Sequence, residues 1–494
     1  MAKNKFVSTL GNVTYTENLM STNRSALDPN LDLFYKIGNR VNSGNSRTGE
    51  STENIVQLAK AAVDSNKELA VKVIGWSRSV RNGAGVRCHM RDIITKGIIP
   101  TEEIDWSWFI GQGYWKDIFY FNPDKLHPLV LLNILEIIKA ALDAEDNMIL
   151  KWLPRKKKNI EHKNNKWIWS IRNFLKYSEK EYRQVCSSFV TPETLMCSKE
   201  WGAIDYNTVP SLCMNKNKKT FYRHDEDRIK AHVENVKEGK VVDGKVQKIN
   251  VDVLYPHQIV MPLLGDGFYW NRKDPSIDTI KFAEAQWSQL GDKLQSDKGI
   301  FVVADNSGSM SGEPMAISKA LAIYLAEKLT GAFHNFCAIF SDHPVFLQFK
   351  DSDGLMAKLD AMSKDLYASN TNIESLFDMI LHKGVTESIP AEDMPEIIMI
   401  ISDMQFDQCT SNPSANIMEM VKAKYEKAGY TMPQMVFWNV RNSSGVPCTA
   451  NQSGVVLFSG SSVNSIKQAI EGEFNPIKAM LRVVDKPEFY WLRS

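Results

Sequence analysis

A change of hydrophobic rhythm near residue 290 limits the possible folds more than any other feature of the chain. Beyond it, short apolar runs recur at 299–304 (GIFVVA), 335–340 (NFCAIF), 396–401 (EIIMII), 434–440 (QMVFWNV) and 454–458 (GVVLF), with helical stretches at 314–329, 415–427, 463–471 and 476–484. Runs of this length without polar alternation suit strands buried on both faces. Strands separated by helices predict βαβ units, hence an α/β doubly wound, mostly parallel sheet whose functional groups lie beyond the carboxyl ends of its strands.

Before residue 290 the period is helical. Residues 51–65 (STENIVQLAKAAVDS) put Ile55, Leu58, Ala61 and Ala62 on one face behind a capping Ser51. Residues 67–76 and 86–98 continue in this way, parted by the turn Asn82-Gly83-Ala84-Gly85, and 128–144 opens with Pro at the favoured first helical position. Short helices on short loops predict an α-helical module, a solenoid built from helix pairs. Asp243-Gly244 between Val-rich flanks predicts a small hairpin insertion at 239–251. The expected organisation is a helical module over 1–290 and an α/β domain over 297–494.

Composition separates these two parts. The chain has 494 residues, 43% hydrophobic and 24% charged, an ordinary globular balance, and a formal charge of +1. That near-neutrality hides an asymmetry: 44 basic against 36 acidic side chains in 1–300 (+8), but 15 against 22 in 301–494 (−7). A basic half implies an anionic partner. Seven Cys without CxxC or CxH spacing exclude a disulfide framework or zinc knuckle and point to a reducing compartment, the cytoplasm. MAKNKFVSTLGNVTYTEN has no apolar signal core, and no run reaches the roughly 18 apolar residues of a membrane span.

The sharpest motif follows the first apolar run: Asp305-Asn306-Ser307-Gly308-Ser309. One carboxylate and two hydroxyls at alternate positions of a tight loop converge on one centre. Such an all-oxygen set suits a hard divalent cation, Mg²⁺ first, with Mn²⁺ or Ca²⁺ as alternatives. Thr371, with Ser369 as its alternative, offers a further hydroxyl, and Asp403 follows the run 396–401 at the same sheet edge, with Asp407 competing for that role.

Asp305, Ser307, Ser309, Thr371 and Asp403, in this order, resemble the metal-ion-dependent adhesion site of a von Willebrand factor A domain. The resemblance implies that the cation keeps a position open for a partner's carboxylate, so that the centre docks and does not hydrolyse. LDLFYKIGNRVN, SRSVRNGAGVRCHMRDII, KWLPRKK and SKEWGAIDYNTVPSLCM resemble a domain family of unknown function that couples a helical module to this A domain, from about Thr16 onward. That module is similar to a divergent TROVE module, the ring of HEAT-like helices of the Ro autoantigen family. The resemblance implies binding of small structured RNA on a basic outer face and of single-stranded ends in a central hole.

The residues themselves offer three basic faces for such an RNA. Residues 151–183 hold 11 Lys or Arg against 3 Glu. Arg155, Lys156, Lys157, Lys158, Lys163, Lys166 and Arg172 interleave there with Trp152, Trp167 and Trp169. Cations neutralise phosphates and exposed aromatic faces stack on unpaired bases, although tryptophans at helical spacing are more often core. Lys216, Lys218, Lys219 and Arg223, beside His224, Arg228, Phe221 and Tyr222, form a second cluster. Arg78, Arg81 and Arg87 around Gly83 and Gly85 form a third, where a glycine turn lets backbone approach an anion.

Nine dispersed His without HExxH, no GxxxxGK[ST], and a Gly111-Gln112-Gly113 without its third glycine provide no recognisable catalytic motif. The expected function is non-catalytic RNA binding with a divalent-cation docking site. The alternatives are a metal-dependent protein adaptor and a structural component of a larger, viral assembly.

Overall fold

The protein is described from a computed structural model, which covers residues 11–39, 52–265, 274–291, 298–340, 343–363, 371–408, 416–441 and 445–493. Two hairpins, β1 (Val13–Tyr15) with β2 (Ser21–Asn23) and β3 (Val241–Val242) with β4 (Lys245–Val246), precede a six-stranded sheet. The sheet is built from β5 (Ile300–Asp305), β6 (Phe336–Phe340), β7 (Val345–Gln348), β8 (Ile397–Ser402), β9 (Gln434–Asn439) and β10 (Val455–Ser459) in the order β10-β9-β8-β5-β6-β7. All neighbours are parallel except β7, which returns antiparallel along β6. The five apolar runs thus become strands within a residue of their expected ends, and the protein is a mixed α/β chain.

All six residues of β5 and of β8 are buried, so both faces of the sheet are covered at its centre. Helix Glu313–Lys328 is buried from Met315 to Ala326, because it is packed between β5 on one side and helix Pro256–Leu264 on the other. That double burial explains its apolar residues all round.

Helices of the N-terminal part close the β10 end of the sheet. Helix Pro29–Ile37 packs on β10 and on helices Thr52–Ser65 and Lys67–Arg78. Phe34 sits 4.7 Å from Trp76 and 6.2 Å from Phe458, ring centre to ring centre, a geometry worth about 0.5–1.5 kcal/mol per aromatic pair beyond burial. Trp491 Nε1 donates to the Val71 carbonyl at 2.8 Å. Gly75 makes this approach possible, since a Cβ there would stand 2.0 Å from the Phe489 oxygen. One apolar core therefore runs from Met20 to Leu492. A second, smaller core gathers Ile204 and Tyr206 of the preceding loop with Phe221, Ile229 and Phe282 of helices Ser211–His224, Glu226–Lys237 and Ile277–Ser288.

The expected hairpin at 239–251 is present, turning through Asp243 and Gly244 at φ +50° and +74°, the pair of positive angles that a two-residue type I′ turn needs. No described helix is long and apolar enough to cross a membrane.

Candidate cation site and basic surfaces

The chain leaves β5 to build β6 and β7 on one side, then returns to add β8 on the other. The order of winding reverses between β5 and β8, which is where doubly wound sheets open a crevice for ligands. Asp305 ends β5 and Asp403 directly follows β8, so register places both carboxylates at this switch point.

Both aspartates are buried, at 0% and 1% exposure. Burial, then the charge of Asp403, pushes the Asp305 carboxyl up to about 7, against stabilising bonds from Ser307 and Ser402. Asp403 is also raised, by burial first, with the Glu17 charge adding; the Gln405 N–H, Arg441 and Ser309 oppose the rise. Two carboxylates that resist ionising together are a site short of positive charge. Arg441 supplies part of it, with Nη1 3.6 Å from Asp403 Oδ2 and donating to the Ser309 carbonyl.

The hydroxyls belong to the same loops. Ser307 N donates to Asp305 Oδ1 at 2.9 Å, Ser307 Oγ lies 3.1 Å from Ser309 Oγ, and Ser402 Oγ donates to Asp305 Oδ2 at 2.5 Å. Thr371 is fully buried, yet its Oγ1 has no hydrogen-bond partner among the described residues, a state that costs about 1–3 kcal/mol unless something else binds it. Met404, next to Asp403, is held at φ +62°, a conformation that a non-glycine residue keeps only where surrounding bonds impose it. Met404 N donating to Ser402 Oγ at 2.9 Å is one of these. Among the described residues no group of three or more His, Cys, Asp or Glu gathers at metal spacing. The donor set is two carboxylates and three hydroxyls, and it fits a hard cation.

Asp407 has a different role from Asp403. Its Oδ2 accepts from Thr371 N at 3.0 Å while its own N donates to Thr371 O at 3.0 Å, so it clamps the Thr371 loop to the loop after β8. Ser369 lies outside the described residues. No motif announces the strap that covers these loops. Thr16 Oγ1 donates to Phe406 O, Glu17 N to Gln405 Oε1 and Asn18 Nδ2 to Gln405 O, at 2.6 to 2.8 Å.

The basic candidates divide. Lys156, Lys157 and Lys158 are exposed, with Lys156 3.5 Å from Glu179. Arg155 is exposed but donates to the Cys186 carbonyl at 2.6 Å. Trp169 is 68% exposed, one helical turn on from Asn165, whose side chain donates to the Lys157 carbonyl at 3.0 Å, whereas Trp167 is core and donates to Phe121 O. Lys216, Lys219, Arg223, Arg81 and Arg87 are exposed.

Of the others, Arg78 is corrected, and four more are half-buried and engaged with neighbours. Arg78 is fully buried and held by Asp117 through Nε at 2.9 Å and through Nη2, so it is no surface residue. Asp117 is shared with Arg91. Lys163 is turned inward onto the Tyr120 ring and carbonyl, and Lys166 is paired with Asp124 and Glu161. Arg172 donates to Tyr177 O at its helix end. Lys218 lies over Phe282, and burial lowers its ammonium to about 8.

Residues 300–486 match the family model described as a domain of unknown function (DUF7788), and residues 133–300 match a second, a domain of unknown function (DUF2828). The two matches meet at residue 300, where β5 begins. The chain is also similar to an uncharacterized protein, L728, of Acanthamoeba polyphaga mimivirus. The two are 25% identical over 529 residues, covering 96% of this chain and 88% of that protein.

Proposed function

We propose that the chain is a non-catalytic RNA-binding protein with a divalent-cation docking site, a TROVE-like module of HEAT-like helix pairs joined to a von Willebrand factor A-like domain. The observation that carries the cation part is the meeting of buried Asp305 and Asp403 at one switch point, with a buried Thr371 hydroxyl that has no partner among the described residues in a loop clamped to the one after β8. Strand order supports the A-domain reading, since counting from β5 it runs 3-2-1-4-5-6. Asp305, Ser307, Ser309, Thr371 and Asp403 would hold the ion, Mg²⁺ first. When bound, the ion supplies a positive centre that a partner's carboxylate completes.

The exposed run Lys156–Lys158 and the exposed Trp169 support the RNA part, as cations and a free aromatic face together suit an unpaired strand. The cation site also supports a second reading, a protein adaptor without RNA. Calorimetry with Mg²⁺ and with a short single-stranded RNA separates them. The proposal expects both to bind; Mg²⁺ alone favours the adaptor, and neither removes the function proposed.

A further inference from the structure

A cavity of about 470 Å³ opens between the region of residues 87–152 and the segments 193–216 and 250–253, within the roughly 300–1,000 Å³ of small-molecule sites. Arg87, Arg91, Lys116, Lys151 and Lys216 stand on its wall, against the carboxylates of Glu193 and Asp252. Of these five cations, only Arg91 has a carboxylate within ion-pair distance among the described residues, and that one, Asp117, already serves buried Arg78. The wall is short of negative charge. Arg87 is exposed overall, but desolvation of its guanidinium, and then repulsion by Arg78, hold that group below the usual arginine range.

The same wall is aromatic. Arg87 lies 5.3 Å from the centre of the Tyr114 ring and Arg78 5.6 Å from it, while the Lys116 and Lys151 ammoniums each lie 5.6 Å from the Trp152 ring. One buried donor of this wall, Trp152 Nε1, has no acceptor among the described residues. An occupant that answers all three needs brings negative charge, a flat ring and acceptor atoms. A second cavity, of about 200 Å³, shares Arg87 and Tyr114 and runs on to Ser462 and Asn464 beyond β10.

We infer that this cavity seats one nucleotide unit, with its phosphate among Arg87, Arg91 and the lysines and its base against the aromatic wall of Trp152 and Tyr114. The unit has two sources: an unpaired residue of an RNA, which rests on the function proposed above, or a free nucleoside monophosphate. Continuity with the second cavity favours the RNA, because the next nucleotide then has a path toward the end of the sheet.

Calorimetry on the full chain with a ten-residue uridine RNA, adenosine monophosphate and inorganic phosphate tests this. The variants are Arg87→Gln with Lys151→Gln, Lys216→Gln alone on an exposed side chain, and Trp152→Leu, with melting temperature as the folding control. The double variant should bind the RNA at least tenfold more weakly, with a salt slope shallower by about 1.4, from about 0.7 per lost single-strand phosphate contact. Trp152→Leu should weaken nucleotide binding and leave phosphate binding unchanged. Adenosine monophosphate binding without RNA binding keeps the pocket, identifies the free nucleotide and removes the RNA reading. RNA affinity unchanged in the double and Lys216 variants removes the pocket and leaves the RNA reading standing. Phosphate binding as tight as adenosine monophosphate also removes it, and no binding of either nucleotide probe removes both.

Discussion

Ser402 Oγ spans the switch point, donating to Asp305 Oδ2 at 2.5 Å from the last residue of the neighbouring strand. The same oxygen accepts from Met404 N, so one hydroxyl fixes both the carboxylate of β5 and the strained turn that delivers Asp403.

Ser402→Ala should therefore loosen both sides at once. The lost bonds leave Asp305 and Met404 N short of partners at a cost of about 1–3 kcal/mol, read by chemical denaturation. Mg²⁺ affinity should fall while the fold persists; unchanged affinity would make Ser402 a purely structural hydroxyl.

Asp305→Ala should abolish Mg²⁺ and Mn²⁺ binding. It also removes a carboxylate that burial and Asp403 push up to about 7, so the metal-free variant should be no less stable than the parent at pH 8. Calorimetry and thermal melting read the two effects separately. Retained metal affinity would overturn the site.

The sign of the pH dependence follows from the same shift. An acid whose folded pKa is raised above its unfolded value near 3.9 binds more protons folded than unfolded, so its contribution favours the folded state at low pH and is lost as pH rises toward about 7. A cation reverses this, since it needs the carboxylate ionised. Mg²⁺ should raise the melting temperature at pH 8 and scarcely at pH 5; equal stabilisation at both would contradict the assignment.

Lys156, Lys157 and Lys158 replaced together by Gln should weaken RNA binding about tenfold or more and flatten its salt slope by up to about 2, at roughly 0.7 per contact. Exposed charges contribute little to stability, so melting should hardly move. Arg155 is left in place because of its bond to Cys186 O.

Asp117→Asn should be far more damaging than any of these surface changes. It leaves buried Arg78 without a counter-charge and releases Arg91, and breaking one side of a buried pair costs about 3–5 kcal/mol. Urea unfolding would show a variant near the edge of stability.

What the sequence disclosed was whatever local pattern encodes. Parallel strands buried on both faces must be continuous apolar runs, so β5, β8, β9 and β10 were legible to a residue, and DNSGS after one of them marked the strand-end loop. β7 escaped because an edge strand half-exposed in alternation, VFLQ, reads like loop. The basic faces were legible as charge and not as placement. Nothing near Arg78 announces that its partner stands 39 residues further on, at Asp117. The cavity cations come from separate stretches around residues 87–91, 116, 151 and 216, which only the fold brings together.

The strap over the cation loops has a kinetic meaning. Thr16 reaches Phe406 across 390 residues of sequence, a separation whose closure entropy must be overcome before the contact stabilises anything. During synthesis the DNSGS loop emerges well before Asp403, and the strap waits unattached until Gln405 to Gln408 have left the ribosome. The proposed cation site is thus closed over by a contact that spans most of the chain, and occupancy by a metal ion would report that this long-range closure has formed.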